Sequence, residues 1–271
     1  MNSTEPSIRL AAFAGVFVLM ATWEVFAPRR AHGVARASRW PGNFGLIALD
    51  TVALRLLFPA AAVGAALFAN KRGWGLLNSV DLPPWLEIVI AFVALDLVIY
   101  AQHVLSHRVP VLWRLHRVHH SDVTLDITTG IRFHPIEILL SMAIKIAAVL
   151  ALGASATAVL LFEIVLNAAT MFNHANARLP LRADALLRRV LVTPDMHRVH
   201  HSTDRAETDS NFGFALPWWD RMFGTYRAQP AAGHVAMTIG VANLRDPREA
   251  RLDRMLSQPF RRAGAEEAVY D

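Results

Sequence analysis

Histidine is the residue type that can do chemistry in this chain. There are twelve in 271 residues, and they cluster rather than scatter. His103 and His107 stand four apart, and His116, His119 and His120 lie within the hexapeptide HRVHHS. The same hexapeptide returns 81 residues later as His197, His200 and His201, with no wider repeat around it. On a helix, positions i, i+3 and i+4 share a face, so each group projects two or three imidazoles in a common direction. His134 and His174 stand between the two copies. Packing so many imidazoles together without a cation would set donors against donors and add repulsion on protonation. Metal binding is therefore expected. One ion takes at most about six ligands, so nine imidazoles point to two ions with four or five each. Cysteine is absent, which excludes thiolate sites, iron-sulfur clusters and disulfides. There is no HExxH for a zinc protease and no paired Glu-x-x-His for a carboxylate-bridged bundle. The isolated His32 and His234 read as ordinary hydrogen-bonded residues.

The elements that must position these groups are apolar. Hydrophobic residues make up 54% of the chain against 18% charged, and the mean hydropathy is +0.32. Four stretches, about 8–27, 44–69, 86–102 and 136–172, approach or exceed the roughly 20 residues of a spanning helix. The first lacks a clear cleavage site and is read as a span rather than a leader. The fourth is too long for one ordinary span and reads as two helices turning near Gly153, Ala154 and Ser155. Loop 28–43 carries Arg29, Arg30, Arg36 and Arg39 with no acid and is expected on the cytoplasmic side. Alternation then returns the chain there near residue 103, and the hairpin brings eleven of the twelve histidines to one compartment. In such a hairpin Lys145 and Glu163 sit at similar depth, where an isolated charge is costly. They are expected to pair within about 8 Å, a rough reach for two long side chains. His103 and His107 follow the third span, so the site is placed at the membrane boundary. Thr193, Pro194 and Asp195 make a helix start for the second HRVHHS copy.

The net charge of +5 comes without a basic run or helix, so it reads as a topology marker and not as a nucleic-acid surface. Residues 1–85 are expected to form an N-terminal transmembrane hairpin and loop, 86–226 the histidine-bearing catalytic domain, and 227–271 a cytoplasmic tail. Within the polar part, 183–192 carries an apolar stripe beside Arg188 and Arg189. That stripe suits either lipid headgroups or the core of the cap.

From about Asp96 to Tyr226 the sequence resembles the integral-membrane fatty acid hydroxylase and sterol desaturase superfamily. The matching text is HVLSH at 103–107 behind Asp96 and Tyr100, LWRLHRVHHSD at 112–122 and RFHPIE at 132–137. It continues as FNHAN at 172–176, TPDMHRVHHS at 193–202, and NFG followed by WWDRMFGT at 211–225. The resemblance implies an all-α membrane protein of about four transmembrane helices in two hairpins, with a helical cytoplasmic cap carrying the site. It further implies two iron ions that use O2 to hydroxylate or desaturate a lipid. By position the metal ligands are His103, His107, His116, His119, His120, His174, His197, His200 and His201. His134 and Asn176 are expected to support them from behind, as are Asp96 and Asp195; Asp122 is a further candidate for that role, alongside helix capping. Arg178 stands where some members have one more histidine, and Val104 where many have arginine. Trp218, Trp219 and Phe223 either roof a substrate channel or anchor the chain at the interface.

Hydrogen removal from an unactivated C–H bond is beyond acid–base side chains, so the chemistry belongs to a cofactor. No ferredoxin, cytochrome or flavin motif is present. A separate donor of ferredoxin or cytochrome b5 type is therefore expected, docking on the cytoplasmic arginines, at what is expected to be a bacterial inner membrane. Two alternatives stay open. A zinc-dependent membrane hydrolase would use a metal-bound hydroxide, but no glutamate base follows a histidine pair. A non-enzymatic metal- or haem-binding protein would, for haem, need paired histidines inside the spans.

Overall fold

In the computed structural model, which describes residues 5–31 and 33–261, the long apolar segments are helices. These are α1 (Glu5–Phe26), α2 (Arg36–Leu57), α3 (Ala61–Arg72), α4 (Pro84–Arg108), α6 (Pro135–Leu152) and α7 (Ala156–His174), with the short α5 (Pro110–His120) between α4 and α6. His32 lies outside the described residues. There is no strand among them, only the isolated bridges Pro28–Ala177 and Ser202–Ile239. Against an expected count of about four, five segments among the described residues are long and apolar enough to cross a membrane: Glu5–Phe26, Arg36–Ser79, Pro84–Arg108, Pro135–Leu152 and Ala156–His174. The first of them, α1, packs on α7. The second segment breaks into α2 and α3 because Pro59 disfavours helical backbone at Phe58 and offers no N–H of its own. Large apolar side chains such as Leu10, Val18, Val52 and Leu56 are more than half exposed on these helices. A protein in water would not display such a belt, and a bilayer accommodates it.

The segment 136–172 is a helical hairpin, turned as its sequence indicated. Gly153 ends α6 in the left-handed region at φ 69°, and the Ser155 side chain caps α7 by accepting the Ala158 N–H at 3.2 Å. The loop after α3 meets this turn so closely that a Cβ on Gly75, itself at φ 95°, would lie 2.1 Å from the Gly153 nitrogen. Glu87 at the start of α4 accepts from the Ser155 N–H and hydroxyl at 2.9 and 2.7 Å. These loops therefore share one end of the bundle, and the carboxyl ends of α4 and α7 share the other with the start of α6. Lys145 Nζ lies 2.8 Å from Glu163 Oε1. Glu163 has a second cation that the hairpin geometry did not foretell: Arg9 of α1, at 2.7 Å.

Over the carboxyl ends of α4 and α7 lies a layer of short helices: α5, α8 (Leu181–Leu187), α9 (Pro194–His200), α10 (Arg205–Thr208), α11 (Trp218–Met222), α12 (Gly233–Ala236) and α13 (Leu252–Ser257). The arginines of loop 28–43 knit this layer to the spans. Arg29 pairs with Asp195 at 3.0 Å and Arg36 with Glu24 at 2.9 Å. Arg30 donates to the Met237 carbonyl at 2.8 Å. Arg39, 1% exposed, bridges Asp122 and Asp126 at 2.6 and 2.7 Å. Met255 of α13 packs with Leu46 and Val118. In the 183–192 stretch Leu186 and Val190 stay exposed while Arg188 turns inward, pairing with Asp184 and donating to the Ala228 carbonyl. Arg188 is thus a strut of the cap rather than a contact for lipid headgroups.

Candidate metal centre

Each HRVHHS copy starts behind a proline: Pro110 opens α5 and Pro194 opens α9, where the Thr193 hydroxyl accepts the Met196 N–H at 3.3 Å. The nine histidines fall into two groups. His103, His107, His116, His120 and His200 form one, and His119, His174, His197 and His201 the other; in each, donor atoms lie within 4.8 Å of one another. Every one of the nine side chains belongs to a residue at most 3% exposed. The two hexapeptide copies do not each supply one group. In the first copy His116 and His120 join the group of five and His119 the group of four. In the second copy His197 and His201 join the group of four and His200 the group of five. Helix geometry explains the split: i and i+4 are about 40° apart around the axis, whereas adjacent histidines are about 100° apart and diverge. The pair His103 and His107 completes one group and His174 the other.

Backbone and carboxylate partners fix four of the ring tautomers. His103 Nδ1 lies 2.7 Å from the Phe212 carbonyl, His174 Nδ1 2.7 Å from that of Thr170, and His200 Nδ1 2.8 Å from that of Ser210. His116 Nδ1 lies 2.6 Å from Glu137 Oε1. A carbonyl or carboxylate only accepts, so each of these Nδ1 atoms carries the proton and each Nε2 turns a lone pair inward. His103 and His116 thus face each other, Nε2 to Nε2, at 3.1 Å with no proton between them. His174 Nε2 faces the Nε2 atoms of His119, His197 and His201 at 3.0, 3.0 and 3.2 Å. The facing lone pairs of His103 and His116 suit a shared cation, as does the crowding of the His119, His197 and His201 Nε2 atoms around that of His174. Nitrogens each about 2.1 Å from a shared ion stand about 3.0 to 3.4 Å apart, so the spacing fits. His200 Nε2 is buried with no partner among the described residues. Burial, then neighbouring imidazoles, holds His119, His120, His197 and His201 well below the ordinary histidine range and His200 down to about 3. All stay neutral, the form a metal binds.

Several residues expected behind the ligands do other work. His134 is not beside a ligand: it caps α6 by accepting the Ile136 N–H at 3.2 Å, with Nε2 3.3 Å from the Leu256 carbonyl. Asp96 takes the Trp219 indole N–H at 2.8 Å and the Leu216 N–H at 3.2 Å rather than a histidine, because α11 folds down onto α4. Asp195 is held by Arg29 and Arg198. Asn176 exchanges hydrogen bonds with the Arg30 backbone at 3.0 and 2.8 Å. Asp122 neither caps nor touches a ligand; against the upward push of burial, Arg39 and Arg132 bring it to about 2. Arg178 is exposed, and the group beside it has four histidines. His234 stands outside both groups, 3.7 Å from Asp195. The carboxylate hydrogen-bonded to one of the nine histidines is Glu137, while Asp209 Oδ1 stands 3.5 Å from His107 Nδ1. The signal for Glu137 was present in RFHPIE, where Pro135 starts a helix and sets Glu137 in its first turn.

A cavity of about 340 Å³ runs from His103 and His116 into the bundle between α2, α4, α6 and α7. At its histidine end stand Phe133, stacked on His119 at 4.4 Å, and Phe214, 4.9 Å from His103. Trp218, Trp219 and Phe223 do not line it; Trp219 is buried on Asp96, while Phe223 stacks on Tyr100 at 5.6 Å.

The profile of the fatty acid hydroxylase family matches residues 88–225, just over half of the chain. The chain belongs to the fatty acid hydroxylase family. It is 30% identical over 189 residues to an ornithine lipid hydroxylase of Rhizobium tropici, covering 69% of this chain and 54% of that protein. It is 29% identical over 164 residues to the alkylglycerol monooxygenase of Homo sapiens, covering 58% of this chain and 34% of that protein. The Xenopus tropicalis alkylglycerol monooxygenase is 29% identical over 192 residues, covering 68% and 41%. The chain therefore spans about half or less of the length of these relatives. No solved structure matches it.

Proposed function

We propose that this family member is an O2-dependent lipid hydroxylase with two iron ions, one held by His103, His107, His116, His120 and His200 and the other by His119, His174, His197 and His201. The observation that carries the reading is the pair of buried imidazole groups, with the tautomers of His103, His116, His174 and His200 fixed, at the mouth of a bundle cavity. Bound iron supplies the redox chemistry that activates O2 toward an unactivated C–H bond. One O2, two electrons and two protons then turn C–H into C–OH and release one water. The chain's own part is to fix imidazole orientation through Glu137 and the carbonyls of Phe212, Thr170 and Ser210, to exclude water with Phe133 and Phe214, and to seat the lipid in the cavity. The relatives' names, a hydroxylase and monooxygenases, support hydroxylation over desaturation, and they support a lipid as substrate. Electrons come from a separate donor of ferredoxin or cytochrome b5 type. The arginine-rich loop 28–43 supports a cytoplasmic site in a bacterial inner membrane.

Protein purified from iron-supplemented cells is expected to carry two iron per chain, and with a reductant and 18O2 to place 18O in a lipid hydroxyl. His119→Ala should lose metal and product while still inserting into the membrane. Product oxygen derived from water, haem bands, or full activity with zinc alone would defeat the reading.

A further inference from the structure

Behind the five-histidine group stand two segments of the cap, 209–213 and 220–225. A trans peptide is a rigid plane with its C=O and N–H on opposite edges, so holding one aims the other. Two such planes lie between the 220–225 segment and the histidines. In the plane joining Phe212 and Gly213, the carbonyl accepts from His103 Nδ1 at 2.7 Å and the N–H donates to Asp220 Oδ2 at 2.9 Å. In the plane joining Ser210 and Asn211, the carbonyl accepts from His200 Nδ1 at 2.8 Å and the N–H donates to the Thr225 carbonyl at 2.9 Å. The Phe212 N–H donates to Asp220 Oδ1 at 2.8 Å.

Asp220 is fully buried, and a third donor meets it, the Thr225 hydroxyl at 2.7 Å. That hydroxyl has a single proton, so in its 2.9 Å contact with Tyr100 the tyrosine donates. Asp96, Tyr100 and His103 stand at i, i+4 and i+7 on one face of α4. Asp96 accepts at 2.8 Å from the indole of Trp219, the neighbour of Asp220. The helix that carries His103 thus also anchors the carboxylate that aims its partner. The fit leaves no room for a side chain at Gly213, where a Cβ would lie 2.8 Å from Asp220 Oδ2.

We propose that Asp220, which hydrogen-bonds to no histidine among the described residues, is a positioning residue for the five-histidine group. Through the 212–213 peptide it holds the acceptor that keeps His103 Nδ1 protonated and His103 Nε2 turned to the site. Its charge also polarises that peptide and strengthens the carbonyl as an acceptor. In the four-histidine group, His174 takes its carbonyl from Thr170, one turn back in its own helix, and needs no such support. The proposal rests on reading the two groups as metal sites, and not on which metal or reaction they serve.

Titration of the metal-free full chain in detergent with Co2+, read by visible absorption and by competition with a chelator, tests this. Wild type should take up one equivalent per group, two in all. In Asp220→Asn the NH2 must face a backbone N–H whichever way the amide turns, that of Phe212 or that of Gly213. The site that His103→Ala also weakens should lose about tenfold in affinity, the lower end of what loss of such a support costs, while the other stays within about twofold. Its absorption band should change with it. Glu163→Gln, which loosens the spans and not this loop, should leave both sites within about twofold. Should Asp220→Asn fail to fold, Thr225→Val keeps the shape, removes one of the three donors, and should weaken the same site about fourfold. Unchanged affinity in folded Asp220→Asn overturns the proposal, as does unchanged affinity in Thr225→Val where it stands in. So does an equal loss at both sites, or the same selective loss in Glu163→Gln. Wild type that takes up no second equivalent overturns instead the two-site reading, a failure seen before any variant is compared.

Discussion

Glu137→Gln is the substitution whose effect follows most directly from the geometry. The Glu137 carboxylate, 7% exposed, accepts from His116 Nδ1 at 2.6 Å, a distance in the charge-assisted range. Glutamine preserves the shape and an acceptor oxygen but removes the charge that makes the imidazole a stronger donor to metal. It can also present its NH2 to Nδ1, which would drive the proton to Nε2 and turn a ligand atom into a donor. Loss of such a partner typically costs 10- to 100-fold in metal affinity, which is about 1.4 to 2.7 kcal/mol. Only the five-histidine group contains His116, so the loss should fall on one ion of two. Competition with a chelator, read as iron per chain, should show one site weakened by that factor and the other within about threefold. If both sites hold metal as wild type does, or both fall together, Glu137 does not act through His116 as argued.

Two further outcomes follow from buried charge. Glu163 is the shared anion of Lys145 and Arg9, so Glu163→Gln strands Lys145 and leaves Arg9 only Glu5, whereas Lys145→Met leaves Glu163 paired with Arg9. Breaking a buried pair costs about 3 to 5 kcal/mol, so Glu163→Gln should lower the melting temperature in detergent clearly more than Lys145→Met; equal losses would remove Arg9 from the network. The metal-free protein should also be acid-sensitive. Imidazoles such as His200, held to about 3 by burial, stay neutral when folded, while the unfolded chain takes up protons below its ordinary value of about 6.5. Stability is then complete above about pH 7 and falls as pH drops through 6 toward 3. Melting against pH should show more than one proton bound on unfolding between pH 4 and 6; a flat profile would contradict neutral burial.

Local periodicity made much of this molecule legible. The imidazoles at i, i+3 and i+4, the proline-led helix starts at Pro110 and Pro194, and the turn at Gly153 are properties of short stretches. They yield the paired histidines of α4, α5 and α9 and the 136–172 hairpin without knowledge of neighbours, while the place of the isolated His174 in the nine-histidine set came from the family resemblance. The relation between Lys145 and Glu163 was readable because a hairpin converts sequence distance into depth. What depends on helices far apart in sequence was not readable. Arg9 reaches Glu163 only because α1 packs on α7, and Asp96 meets Trp219 only because α11 folds onto α4. Glu137 rather than His134 touches a ligand because Pro135 starts the helix there, which sends the histidine to a cap and the glutamate toward α5.

The sequence by itself determined the donor inventory: nitrogen ligands in helical pairs, no thiolate, and apolar segments to carry them. Only the tertiary structure decided which nitrogen falls in which of the two groups. A helix turns about 100° per residue, so His119 and His120, and likewise His200 and His201, must diverge. Where each then points depends on how α4, α5, α7 and α9 converge, a matter of packing between segments up to about a hundred residues apart.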